Sequence, residues 1–168
     1  MLFFGRILAY AAILEDREVT WFPSYGGEMR GGTANCTVII SNDLIGSPLV
    51  LNPDILVVFN EASLQKFQPR LKDKGLLLFD SSLIKDPKLR NDVDIIGIPA
   101  TDISSKIGNT KSSNMVLLGA LIARTGLLKC TSLLEALENS VPEKRKKTIE
   151  TNKRAIMEGL RFIEDKKG

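Results

Sequence analysis

Ile55-Leu56-Val57-Val58-Phe59-Asn60, Gly75-Leu76-Leu77-Leu78-Phe79-Asp80 and Val93-Asp94-Ile95-Ile96-Gly97-Ile98 are the stretches that decide the fold. The first two are continuous apolar runs ending in a polar residue. The third is apolar apart from Asp94 and Gly97. A strand that alternated apolar and polar would have one wet face; continuous runs fit strands buried on both faces, the habit of a parallel sheet. A helical pattern over residues 62–71 separates the first two runs. After the third, residues 103–125 contain a long helix, very apolar from Met115 to Ile122. Strands alternating with helices predict an α/β fold with a mostly parallel sheet. Ligands of such sheets bind beyond the carboxyl ends of the strands. On this reading the loops at 23–34, 60–62, 80–83 and 99–102 share one edge.

Working outward, residues 2–14 carry Leu2, Phe3, Ile7, Leu8, Ala11 and Leu14, a helix apolar on most faces and therefore largely buried. Val19 to Phe22 reads as a strand. Cys36 to Ile40 reads as another, with Cys36, Val38 and Ile40 on one face. Asn42-Asp43 opens a turn, from which Leu44 to Val50 is expected to return as a short hairpin arm. Helices are expected at 132–139 and 143–164, with Pro142 suited to a first turn. The 168 residues suffice for one domain with a real core. The domain expected is 1–168, with a helical C-terminal extension over about 131–168.

Composition narrows the chemistry. The chain has no histidine and two cysteines, Cys36 and Cys130. Ser-His-Asp and Cys-His nucleophilic sites and histidine metal sites are thereby excluded. Two cysteines cannot supply the four ligands that iron–sulfur clusters usually take. Both stand in apolar surroundings and are read as packed side chains rather than a disulfide. The net charge of +3 is compatible with an anionic small molecule and demands no nucleic acid. Lys144, Arg145, Lys146 and Lys147 are read as a solvated helix face. No apolar run approaches the ~20 residues of a membrane helix. Arg6 interrupts the N-terminal apolar run, so no secretory signal is expected. The expected location is the cytoplasm, with neither nucleic acid nor membrane as a partner.

Between the two predicted N-terminal strands lies Ser24-Tyr25-Gly26-Gly27-Glu28-Met29-Arg30-Gly31-Gly32-Thr33-Ala34-Asn35. Glycine pairs let backbone N–H groups approach an anion with no Cβ in the way. Arg30 adds a permanent cation whose fork of donors suits phosphate. Glu28 can steady that guanidinium or bind a hydroxyl. A flexible connection between strands, with Glu28 and Arg30 as a local ion pair, accounts for the same residues equally well.

This loop, continued by Cys36 and its strand, resembles the gamma subunit, or equivalent domain, of 2-oxoacid:ferredoxin oxidoreductases. The resemblance runs on through Ile45-Gly46-Ser47-Pro48, Pro53-Asp54, Asn60, Pro99-Ala100-Thr101, Gly108-Asn109 and Asn114 to Gly119, covering roughly residues 1–125. The Met29-Arg30-Gly31-Gly32-Thr33-Ala34-Asn35 form is closer to the 2-oxoglutarate branch than to the pyruvate branch. There are two departures. The family usually has proline where Gly27 stands. Its members also begin with a strand and glycine-rich turn, whereas Met1-Leu2-Phe3-Phe4-Gly5-Arg6 resembles the start of the helix that follows them.

The resemblance implies a Rossmann-like three-layer domain in a complex active in anaerobic metabolism. That complex decarboxylates a 2-oxoacid on thiamine diphosphate, passes electrons through iron–sulfur clusters to ferredoxin, and transfers the acyl group to coenzyme A. Thiamine and clusters would sit in partner chains, namely alpha, beta and ferredoxin-like subunits. This chain would add coenzyme A contacts and subunit contacts, and would be inactive alone. The implied coenzyme A-binding residues are Glu28, Arg30, Gly31, Gly32, Thr33, Asn35 and Asn60, with Tyr25 and Asn114 more readily read as structural. A purely structural subunit remains open. So does a free-standing Rossmann-type nucleotide-binding protein, although no Gly-x-Gly-x-x-Gly follows a predicted strand.

Overall fold

Burial of the apolar runs organises the computed structural model, which describes residues 1–24, 34–140 and 146–166. By its contacts the chain divides into two compact units, Met1–Val50 with Thr125–Lys153, and Leu51–Arg124 with Arg154–Gly168.

In the first unit α1, Leu2–Ile13, buries Phe4, Ile7, Leu8, Ala9, Ala11 and Ala12. It packs on an antiparallel hairpin of β1, Glu18–Ser24, and β2, Asn35–Ser41. Their register runs from Glu18↔Ser41 to Ser24↔Asn35. Gly5 sets how closely helix and hairpin meet, because a Cβ there would stand 2.6 Å from Cys36 Sγ and 3.0 Å from Trp21 Nε1. A helix from the far end of the chain, Cys130–Ser140, closes the other side of α1. The carboxylate of Glu15, just past α1, accepts the Lys129 N–H that precedes this helix, at 2.6 Å.

The second unit contains the parallel sheet. Its strands β3, Ile55–Val58, β4, Leu76–Asp80, and β5, Asp94–Ile98, lie in the order β3-β4-β5. Leu77 and Phe79 bury one face against Val58, Leu64, Leu71 and Ile84, while Leu78, pointing the other way, is equally buried. That two-sided burial is what continuous apolar runs predict. Helix α2, Glu61–Phe67, ends in a 3-10 turn over Gln68–Arg70. Helices α3, Ala100–Lys106, and α4, Ser113–Thr125, follow β5. In chain order the Cys130–Ser140 helix is α5, and α6 covers Lys146–Glu164. The basic run falls partly here: Lys147 is exposed in the first turn of α6, whereas Lys144, Arg145 and Pro142 lie outside the described residues.

The long helix expected within 103–125 is α4; Gly108, at φ +85°, and Asn109, which caps a 3-10 turn over Thr110–Ser112, separate it from α3. Two sequence expectations are corrected. Leu44 to Val50 forms no strand; Leu44 and Leu49 are exposed and find no ladder partner among the described residues. Cys36 and Cys130, read as packed side chains, are each only half-buried.

Met115 to Ile122 is wholly buried. It meets the 154–164 part of α6 through two reciprocal glycines. A Cβ at Gly119 would lie 2.0 Å from the Ile156 carbonyl oxygen, and one at Gly159 would lie 1.9 Å from that of Val116. The two helices therefore meet backbone to backbone.

Candidate functional site

The carboxyl edge of the parallel sheet is where the fold brings polar side chains together. Past β3, Asn60 is extended (φ −154°, ψ 161°) and caps α2, its Oδ1 accepting the Ser63 N–H at 2.8 Å. This is the side-chain cap that turns an orphan helical donor into a bonded one. At the end of β4, Asp80 is fully buried. Its Oδ1 accepts the N–H groups of Ser82 at 3.0 Å and Thr101 at 3.3 Å, and its Oδ2 accepts the Thr101 hydroxyl at 2.6 Å. Ser82 Oγ in turn accepts the Asp102 N–H at 3.1 Å. A buried carboxylate is tolerable only when so bonded. Here it ties the β4 exit to the first turn of α3. Neither Asp80 nor Thr101 stands out in the sequence as a site residue. The available signals were the polar ending of the β4 run and the Pro99-Ala100-Thr101 segment.

The loops at 60–62, 80–83 and 99–102 thus follow the carboxyl ends of β3, β4 and β5, as expected. For the 23–34 loop, residues 25–33 lie outside the described residues; the strands that flank them, β1 and β2, pair antiparallel with each other from Glu18↔Ser41 to Ser24↔Asn35. Asn35 opens β2 opposite Ser24 and is half-buried. Tyr25, Glu28, Arg30, Gly31, Gly32 and Thr33 lie outside the described residues. Asn114 occupies the second position of α4 and is half-buried.

Elsewhere the ionisable groups serve structure. At the amino edge of the sheet Arg90 donates to the carbonyls of Leu71 at 2.6 Å and Gln68 at 3.3 Å, and pairs with Asp73 and Asp92. The guanidinium holds the Asp92 carboxyl down at about 2. Burial acts to raise the Glu15 carboxyl, but the Lys129 N–H, the Ser132 hydroxyl and the nearby cations of Lys129 and Arg17 prevail and lower it. Burial pushes the Cys36 thiol up, away from the thiolate a nucleophile needs. Among the described residues no group of three or more histidine, cysteine or acidic side chains is placed to hold a metal ion. No helix among them is long and apolar enough to cross a membrane.

Fold and site together define an α/β protein whose parallel sheet has an ordered polar carboxyl edge and whose separate antiparallel hairpin carries the glycine-rich connection. The chain belongs to the pyruvate ferredoxin/flavodoxin oxidoreductase family, whose model matches residues 1–162. It is 40% identical over 123 residues to the ketoisovalerate oxidoreductase subunit VorA of Methanothermobacter marburgensis, a match covering 73% of this chain. It spans 26% and 34% of the length of the VorA relatives from two Methanothermobacter species. The 2-oxoglutarate synthase subunit KorC of Methanocaldococcus jannaschii is 36% identical, with 96% of this chain and 86% of that one covered. Among solved structures, the gamma subunit of a keto/oxoacid ferredoxin oxidoreductase from Geobacter sulfurreducens PCA superposes with a TM-score of 0.82 at 28% identity, covering 96% of this chain and 90% of that one.

Proposed function

We propose that this chain is the gamma-type subunit of a 2-oxoacid:ferredoxin oxidoreductase that converts 2-oxoglutarate to its acyl-coenzyme A. The family match over residues 1–162 carries this reading. Correspondence with KorC along most of both chains favours the 2-oxoglutarate substrate. A branched-chain 2-oxoacid is the second reading, favoured by the 40% identity to VorA. In the complex the 2-oxoacid loses CO2 and two electrons, and its acyl group ends on the coenzyme A thiol. Thiamine diphosphate and iron–sulfur clusters belong to alpha, beta and ferredoxin-like partner chains, with ferredoxin taking the electrons. Cytoplasmic placement goes with this reading.

The part proposed for this chain is to grip coenzyme A. The diphosphate and 3′-phosphate of that ligand need donors. Arg30 offers a bidentate fork, and the Gly31 and Gly32 amides offer N–H groups unobstructed by side chains. Thr33 and Asn35 add a hydroxyl and an amide, and Glu28 steadies Arg30. At Asn60 the oxygen is engaged in capping α2, so its amide nitrogen is the group proposed for the ligand.

Arg30→Ala tests this reading. Loss of a charge-assisted hydrogen bond costs about 1.5–3 kcal/mol, which is roughly a ten- to hundredfold rise in KM for coenzyme A in the assembled complex. KM for the oxoacid should hold, and Arg30→Lys should recover only part of the loss. An unchanged coenzyme A constant in a fully assembled Arg30→Ala complex refutes the phosphate role. Oxoacid preference of the same preparation decides between 2-oxoglutarate and the branched-chain alternative.

A further inference from the structure

The α1/α5 side of the first unit carries a feature that coenzyme A binding does not use. Along α1, Arg6, Tyr10, Ile13 and Leu14 fall at i, i+4, i+7 and i+8, one stripe of a helix. Opposite them Asn139 and Ser140 of α5 complete a groove of about 360 Å³. The stripe is apolar and wet: Tyr10 is 48%, Ile13 53% and Leu14 42% exposed. Adjacent exposed apolar side chains of this kind mark a docking surface.

The groove has a charge as well. Among the described residues Arg6 is the one charged side chain lining it. Its Nε is buried and, among the described residues, has no hydrogen-bond partner; the same holds for Ser140 Oγ. Among the described residues Arg6 meets only the face of the Phe3 ring, 5.3 Å from its guanidinium carbon. A cation with a buried, unused donor beside an apolar stripe calls for a carboxylate set among aliphatic side chains. A groove between two helices accepts such a pattern on a third helix, read by anchors at i, i+3 or i+4.

We propose that the α1/α5 groove seats an amphipathic helix of another subunit of the oxidoreductase, with aliphatic anchors on Tyr10, Ile13 and Leu14 and an Asp or Glu on Arg6. This rests on the subunit reading above and names the kind of contact that the reading requires.

The test uses the complex made by co-expressing this chain with its partner subunits. Arg6→Lys places a carbodiimide-reactive amine at position 6, and zero-length coupling followed by peptide mass mapping identifies the carboxylate it meets. The expected product joins position 6 to an acidic residue flanked by aliphatic ones in a different subunit. Coupling to a second copy of this chain, or to Glu143 of the same chain, overturns the proposed occupant; no coupling in an assembled complex overturns the proposal. A paired variant, Ile13→Ser with Leu14→Ser, should lower incorporation into the complex about tenfold or more, while the melting curve of the isolated chain stays cooperative. Unchanged incorporation also overturns the proposal. If the unaltered chain fails to join any partner, the subunit reading falls and this inference with it. If it joins normally and only position 6 is silent, the subunit reading stands and this inference alone fails.

Discussion

Asp80 shows how much one side chain can determine at the sheet edge. Its carboxylate answers three donors from two loops while having no surface of its own. Asp80→Ala would leave the Thr101 hydroxyl and the two amides without their acceptor, a loss on the order of 2–3 kcal/mol. A Tm drop of roughly 5–10 °C is expected in calorimetry, and Thr101→Val, which removes one donor only, should cost less. Asp92 makes a pH prediction. Its carboxyl sits at about 2 against an ordinary 3.8, chiefly through its hydrogen bond to Arg90. A depressed folded value stabilises above the unfolded one and is lost as pH falls through the folded one. Asp92→Asn should therefore melt below the parent at pH 5 to 7, with the gap closing between about pH 4 and pH 2. An unchanged gap across that window would show that the Arg90 contact contributes nothing. Of these roles the sequence disclosed little. A polar residue ending an apolar run was visible at Asp80, but a donor set drawn from residue 101 was not. Asn60-Glu61-Ala62-Ser63 could have been read as a helix cap on its own terms.

At the scale of elements, the parallel strands were legible because their runs are mostly apolar, β4 being buried on both faces and β3 and β5 at least half-buried save for Asp94. The remaining differences have local causes. Gly108, at φ +85°, parts α3 from the long helix α4 within 103–125. Leu44 and Leu49 look like strand residues, yet flank Ser47-Pro48 and face water. The apolar stretch Met115 to Ile122 meets α6 at Gly119, against a partner some forty positions away that no local window includes. The α4–α6 crossing gives a prediction in which two effects oppose. Alanine at Gly159 should gain about 1 kcal/mol of helix propensity. Its Cβ, however, would fall 1.9 Å from a backbone oxygen, and backbone cannot rotate aside. Overpacking of about 1–3 kcal/mol or more should win, so Gly159→Ala and Gly119→Ala should each lower Tm, with a less than additive double variant. A rise in Tm for either would mean that the helices part at little cost.

For the whole molecule, family membership was legible in the 24–35 loop and its downstream echoes, and the comparisons agree. The division into two units was not, since each is assembled from segments far apart in the chain and composition changes at none of the joints. The expectation for the pure chain is no turnover of 2-oxoglutarate or pyruvate with coenzyme A and a viologen dye under anaerobic conditions. Turnover by the chain free of partners would defeat the subunit reading. The same chain should self-associate or bind partner subunits at high concentration, because Tyr10, Ile13 and Leu14 stand in water. A clean monomer in light scattering that also ignores its partners would count against both.

The paired glycines of α4 and α6 also set a schedule for synthesis. Gly119 emerges about 40 residues before Gly159, an interval of roughly 2–8 s at about 5–20 residues per second. During that time the apolar face of α4 has strands and helices beside it but no α6 on top. The nascent chain must wait with that face uncovered, which makes it a client for a holding chaperone. A ribosome stalled between the two glycines would carry a chain that is sticky and readily degraded, though all three parallel strands were already complete.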